Sequence, residues 1–249
     1  MVDHTRARSF GQAAEAYDRY RPTYPAPAVT WAVGHPAPAR VVDLGAGTGK
    51  LTRVLCELGY DVVPVEPDAQ MRARLAAATP GLTPLAGSAE QVPLPDGSVD
   101  AVVAGQAYHW FDPPRAHAEG ARLLRPEGWY AAISNERDES VPWVAALTAI
   151  TIELLGGRGA RDDGPGMTDG HHPDLGPVER TEFRHSITLT PETLIGMIST
   201  RSHYITASEE RKREVDAAIR DLTTTHPDLA GRESFPLTYR TVVHRCRRR

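Results

Sequence analysis

The residues with chemistry to offer begin at Asp43, in the run Val41-Val42-Asp43-Leu44-Gly45-Ala46-Gly47-Thr48-Gly49-Lys50. Two β-branched residues and an acid read as the end of a buried strand. Three alternate glycines then turn the chain into a helix that starts near Lys50. Glycine lets a backbone bend sharply and approach a ligand with no Cβ in the way. A helix N-terminus just beyond such a turn presents unpaired N–H groups to that ligand. The chemistry implied is capture of a nucleotide or nucleoside.

Spacing narrows the ligand. A dinucleotide fingerprint needs G-x-G-x-x-G/A, but counting from Gly45 and Gly47 the last position holds the bulky Lys50. A phosphate loop needs glycine at 44 and a hydroxyl at 51, where the chain has Leu44 and Leu51. Asp43, Gly45, Gly47 and Gly49 leave the pattern D-x-G-x-G-x-G. With it the chain resembles the class I S-adenosylmethionine-dependent methyltransferases, whose first motif has this form.

The second candidate is Glu66, at the end of the predicted strand Tyr60–Val65. An acid about 20 residues beyond the glycine turn is placed to accept hydrogen bonds from ribose hydroxyls. Taken alone it would be a solvated strand-end carboxylate. Pro67-Asp68 follows as a turn and N-cap.

The family resemblance implies further roles. Asp43 would anchor the loop, and Gly45, Ala46 and Gly47 would line the methionine portion of S-adenosylmethionine. Glu66 and Pro67 would hold the ribose side, and Ser88 and Ala89 in Gly87-Ser88-Ala89-Glu90 would meet the adenine. Relatives often carry Asp where this chain has Ser88, and an ordinary polar turn is the alternative there. Gln106, first off the fourth predicted strand, would face the cofactor. His109 in Tyr108-His109-Trp110-Phe111 is the candidate catalytic base, its unperturbed pKa of about 6.5 suiting proton transfer. Beside Trp110 and Phe111 it could equally be a packed side chain. At the N-terminus, Arg21 would pair with the methionine carboxylate and Tyr17 would close the sulfonium side. The alternative is an amphipathic helix on the sheet edge.

Other sequence features carry less chemistry. Asp112-Pro113-Pro114-Arg115 looks like the motif of methyltransferases acting on planar nitrogens. It stands too far past the strand and has Arg115 in place of an aromatic, so it reads as a helix cap with proline in the first turn. His171-His172 with Asp169 and Asp174 invites a metal, but adjacent histidines point apart, and none is expected. Arg201-Ser202-His203-Tyr204 could read a substrate or simply supply cations to a helix C-terminus.

These residues need elements to position them. The chain has 249 residues and a formal net charge of −4, enough for a sizeable core and with no field favouring nucleic acid. Cys56 and Cys246 are too few for a disulfide framework. No segment reads as a signal peptide or membrane span, so the expected location is cytoplasmic, with no membrane partner.

Strands and helices alternate through the first two-thirds, implying a parallel sheet with crossover helices. After Val41–Leu44 and Tyr60–Val65, strands are predicted at Leu82–Ala86, Ser98–Ala104, Trp129–Ile133, Phe183–Leu189 and Leu237–Cys246. Helices are predicted at Asp68–Ala78, from Asp112 to before Pro126, at Val141–Leu155, Pro191–Tyr204 and from Ser208. Residues 156–177, rich in glycine, proline and aspartate, read as a mobile loop or lid edge.

The fold class expected is α/β. It is a Rossmann-like, seven-stranded, mostly parallel sheet with helices on both faces and a small helical cap. All 249 residues would form one methyltransferase domain, with its core at about 36–135 and 178–249 and cap elements at about 1–35, 136–177 and 190–230. The resemblance implies S-adenosylmethionine as cofactor and a small-molecule methyl acceptor, most often methylated at oxygen, with a weaker likeness to trans-aconitate-type enzymes. Carbon or nitrogen methylation, a non-catalytic S-adenosylmethionine-binding module and a nicotinamide-dependent oxidoreductase are the alternatives. Oligomeric state is not legible.

Overall fold

The computed structural model describes residues 18–156, 167 and 172–249. Tyr17, Asp169, His171 and most of the predicted loop at 156–177 lie outside them. The elements in chain order are helix α1 (Ala26–Val33), strand β1 (Arg40–Leu44), α2 (Lys50–Glu57), β2 (Asp61–Val65), α3 (Ala69–Ala78) and β3 (Val99–Gly105). A 3-10 turn (Tyr108–Trp110) precedes α4 (Pro113–Leu123), β4 (Leu124–Arg137), α5 (Pro142–Leu155) and β5 (Glu179–Leu189). The chain closes with α6 (Pro191–Ser199), α7 (Ser202–Ile205), α8 (Glu209–Thr225) and β6 (Phe235–Arg247).

Among the described residues the sheet has six strands, in the order β2-β1-β3-β4-β6-β5. The first four run parallel, and β6 lies antiparallel between β4 and β5. Succession reverses at β1, with β2 on one side and β3 on the other. In an open parallel sheet such a switch point opens a crevice at the carboxyl ends of the strands.

The expected count of seven is corrected to six. The segment predicted as a strand at Leu82–Ala86 makes a single bridge, Leu85 to Val65. Leu85 N–H donates to Pro64 O and Glu66 N–H to Leu85 O. Pro84 has no N–H to continue a ladder, and Gly87 follows immediately. The segment thus edges β2 without extending as a strand.

Two apolar layers flank the sheet. On one face α1 and α2 pack through Val29, Val33, Leu51 and Leu55 against Val41, Val103, Ala131 and Ile133. On the other, α4 and its flanks pack through Ala116, Ala121 and Leu123 against Val42, Leu44, Val102 and Tyr130. A third cluster builds the cap, where Val144 and Leu147 of α5 meet Leu194 and Ile198 of α6, Val215 and Ile219 of α8, and Phe235 and Leu237 of β6.

Most predicted ends hold, because local side chains set them. Asp68 accepts from the N–H groups of Gln70 and Met71, and Asp112 caps α4. Thr190 and Thr193 close a capping box on α6. Three elements differ. Strand β4 extends at both ends of Trp129–Ile133: back to Leu124, which pairs with Val99 of β3, and on to Arg137, because β6 pairs along it from Trp129 to Arg137. Strand β5 likewise begins at Glu179 on the same partner. The helix predicted over Pro191–Tyr204 breaks after Ser199, where the hydroxyl of Thr200 donates back to Met197 O.

Candidate active site

The glycine turn is held from beneath. Gly45 and Ala46 both donate to Val65 O at the end of β2. Gly45, Gly47 and Gly49 all have positive φ, near 65°, 58° and 88°, a region that L side chains enter only at a cost. A Cβ on Gly45 would come within 2.8 Å of the Cβ of Ala107, whereas one on Gly47 would meet nothing within 4 Å. Gly45 therefore serves contact between two turns, and Gly47 faces open space that a ligand backbone or ribose can approach.

Asp43 is fully buried under this turn, and Oδ2 accepts a 2.6 Å bond from the Thr52 hydroxyl. Its Oδ1 has no hydrogen-bond partner among the described residues. Burial pushes its carboxyl up to about 7, the bond from Thr52 pulls it down, and the charge of Glu66 adds to the rise. Glu66, 7% exposed, ties the turn to the second strand. Oε2 accepts from Gly47 N–H and Oε1 from Asp68 N–H, each at 2.8 Å. Burial raises its pKa too, opposed by these two backbone bonds. A carboxylate has about four lone-pair sites, so Glu66 keeps capacity for ribose hydroxyls while shaping the loop. Pro67 follows, and the Arg72 guanidinium bonds the carbonyls of Glu66 and Pro67.

Ser88 and Gln91 exchange backbone bonds in a tight turn that buries Ala89. Glu90 Oε1 accepts from Asp112 N–H at 3.0 Å, which ties this turn to the segment after β3. That segment carries the 3-10 turn, with His109 part-buried against Trp110 at 4.6 Å between ring centroids. Behind it, the Tyr108 hydroxyl lies 3.1 Å from Nε2 of the buried His117 on α4. Gln106 has φ 54°; its Oε1 accepts from Asn135 N–H at 2.8 Å and its own N–H donates to Ile133 O. The side chain thus clamps the end of β3 to β4.

Residues 18–24 run across the crevice as a strap. Asp18 bonds the Thr48 hydroxyl at 3.0 Å and pairs with Arg53, and Lys50 Nζ donates to its carbonyl. Arg21 Nε donates to Thr200 Oγ1 at 2.8 Å. The Tyr20 ring occupies the space where Gly196 would carry a Cβ, and the Tyr24 hydroxyl does the same at Gly105. Thr23 O accepts from Asn135 Nδ2 at 3.0 Å. Of the residues proposed from sequence, Asp43, Gly45, Ala46, Gly47, Glu66, Pro67, Ser88, Ala89, Gln106 and His109 all fall at the carboxyl ends of β1, β2 and β3 or in the turns beyond. Arg21 sits in the strap, and Tyr17 lies outside the described residues. The residues that sequence reasoning missed are Asp18, Thr52 and Asn135. Each acts through a partner on another element, so spacing along the chain carries no trace of it.

The family described as a methyltransferase domain matches residues 42–132. An uncharacterized methyltransferase of Mycobacterium tuberculosis is 44% identical over 240 residues, covering 96% of this chain and 95% of that protein. An uncharacterized methyltransferase-like protein of Schizosaccharomyces pombe is 29% identical over 253 residues, covering 98% and 96%. Among solved structures, a candidate type II methyltransferase of Anaeromyxobacter dehalogenans superposes with a TM-score of 0.64. It is 27% identical and covers 92% of this chain and 98% of that one.

Proposed function

The chain belongs to the class I S-adenosylmethionine-dependent methyltransferases, and on that premise we propose that it methylates an oxygen atom of a small cytoplasmic metabolite. The observation that carries the reading is the arrangement of strap and cap. Residues 18–24 bridge from the glycine turn to α6, and α6 packs with α5 and α8 into one apolar cap. A strap and cap so joined suit an acceptor small enough to be enclosed.

The residues present fit the cofactor. Gly47 leaves room where a Cβ would stand, and Asp43 keeps an unmet buried oxygen below. Gly45, Ala46 and Gly47 would hold the methionine portion, with Arg21 on its carboxylate. Glu66 and Pro67 would take the ribose, Ser88 and Ala89 the adenine, and Gln106 the space between. S-adenosylmethionine supplies a methyl group on a sulfonium, which departs as neutral thioether when an acceptor lone pair attacks the carbon in line.

What the protein adds is mainly alignment and exclusion of water; effective molarity alone can supply roughly 7–11 kcal/mol in favourable cases. An oxygen acceptor that is already ionised needs no base. For a neutral hydroxyl, we assign His109 as the group that would take the proton.

The reading is tested by incubating the protein with methyl-labelled cofactor and separate pools of carboxylic acids, phenols, alcohols and amines. Label should enter an oxygen-bearing pool, with S-adenosylhomocysteine released in equal amount. Label confined to amines or to macromolecules would refute it.

A further inference from the structure

Strand β3 stops at Gly105, opposite Ile133, while β4 runs on to Arg137. Beyond Ile133, that edge of β4 has no strand beside it among the described residues. Residues two apart on a strand present their backbone groups to the same side. Ile133 O and Asn135 N–H therefore both point to the place that β3 has left. Gln106 serves both, the first through its backbone N–H and the second through Oε1 at 2.8 Å. Its φ of 54° turns the chain away from the sheet, and the side chain replaces the ladder that the backbone gives up.

With its N–H committed to that side, Asn135 forms a non-hydrogen-bonded pair with Thr241, its register partner on β6. Such pairs bring side chains closest, and the Thr241 hydroxyl donates to Asn135 Oδ1 at 2.7 Å. The amide nitrogen turns the other way, and Nδ2 donates to Thr23 O in the strap at 3.0 Å. Asn135 thus joins the sheet, the strap and the Gln106 side chain. The residue after Gln106 is Ala107, whose Cβ closes on Gly45 of the glycine turn.

The sense of the Asn135 amide is fixed from both ends. Thr23 O can only accept, so it takes Nδ2 and not Oδ1. At the other end, the fully buried Thr241 hydroxyl lies 3.1 Å from His185 Nδ1. His185 Nε2 is buried with no hydrogen-bond partner among the described residues. A reversed amide would turn Thr241 to donate to Nδ1 and leave the ring proton on Nε2, a buried donor with nothing to receive it. In the observed sense Nδ1 carries the proton and Nε2 is a bare lone pair. Burial holds His185 below the usual imidazole range, which keeps a second proton off the ring.

We propose that Asn135 is a positioning residue of the methyl-transfer site, locking the strap at Thr23 and the Gln106 side chain to one point of β4. The other polar ties of the strap, Asp18 to Thr48 and Arg21 to Thr200, engage the glycine turn and the end of α6. Asn135 ties it to the sheet, where Tyr24 stands against Gly105, the residue before Gln106. A strap held there keeps bound cofactor in and water out while the methyl group transfers. The role rests on the cofactor lying in the glycine turn, as proposed above.

The test compares Asn135→Asp, Thr241→Val and Thr241→Ser with the wild type. The aspartate turns a second acceptor on Thr23 O, the valine keeps the shape of threonine but frees the amide, and the serine keeps the hydroxyl. Trypsin cleavage after Arg19, read by mass spectrometry, reports lifting of the strap. Cleavage after Arg240, inside β6, reports loosening of the sheet. N135D and T241V should speed cleavage after Arg19 at least fivefold and leave that after Arg240 within twofold. Both should also speed S-adenosylhomocysteine dissociation at least threefold in stopped flow, while T241S stays within twofold of the wild type in all three readouts. Should N135D fail to fold, T241V carries the test. The role is overturned by unchanged cleavage after Arg19, by an equal rise after Arg240, or by unchanged dissociation from a lifted strap. T241S behaving as T241V would overturn it too. Failure of the wild-type protein to bind S-adenosylhomocysteine would instead strike the cofactor reading beneath it.

Discussion

Asp43 has a testable cost as a single residue. Its carboxyl is raised from 3.8 to about 7 in the folded protein, chiefly by burial, so the fold prefers the neutral acid. Stability from that preference is complete below the unfolded pKa and is lost as pH rises through about 7. Every tenfold change in proton affinity corresponds to about 1.4 kcal/mol, which bounds the loss on the order of 4 kcal/mol. Asp43→Asn, permanently neutral, should match the ligand-free wild type near pH 4 and become progressively more stable than it toward pH 8. Urea midpoints across that range check this, and parallel profiles would refute it. The acid and its glycines were readable from spacing. The unmet Oδ1 was not, because it depends on Thr52 from α2 and Glu66 from just past β2 arriving beside it.

Among the elements, α4 carries the conflict between local propensity and packing most plainly. Alanine is about 1 kcal/mol better than glycine inside a helix, so Gly120→Ala would stabilise α4 in isolation. In the fold, a Cβ at Gly120 would approach the fully buried Tyr130 ring on β4 to 2.4 Å. Overpacking of that kind costs about 1–3 kcal/mol. The variant should therefore be less stable by up to about 2 kcal/mol in urea unfolding, and a gain in stability would show that α4 shifts freely. Helix starts at Asp68, Asp112, Thr190 and Ser208 were legible because a cap is a local device. The strand predicted at 82–86 failed because a strand needs a neighbour to pair along its length. Pro84 beside a short β2 supplies only the Leu85 bridge.

For the molecule as a whole, residues 18–24 join what the sequence keeps apart. Asp18 engages Thr48, Lys50 and Arg53 around the cofactor turn, while Tyr20 and Arg21 rest on α6. With the cofactor held in the glycine turn as proposed, its release would require the strap to lift. Asp18→Ala should speed S-adenosylhomocysteine dissociation severalfold in stopped-flow measurements and lower the urea midpoint only slightly, since an ion pair that still touches water contributes about 1 kcal/mol or less to stability. Added salt should produce the same trend in the wild type by screening the clasp. An unchanged dissociation rate would show that the strap does not gate the site.

The glycine turn, the acid at 66, the helix caps and the parallel βα alternation were determined by the sequence itself. Each depends on residues within one turn or one βαβ unit, where backbone conformation and hydrogen-bond reach are local. The tertiary structure alone decided that six strands form the sheet, that Glu66 buttresses Gly47, and that residues 18–24 cross the crevice. It alone joined Asn135, Thr241 and His185, three residues from three strands. Such neighbours are chosen by sheet register and by burial of the whole apolar surface, and neither is written in the spacing of any one segment.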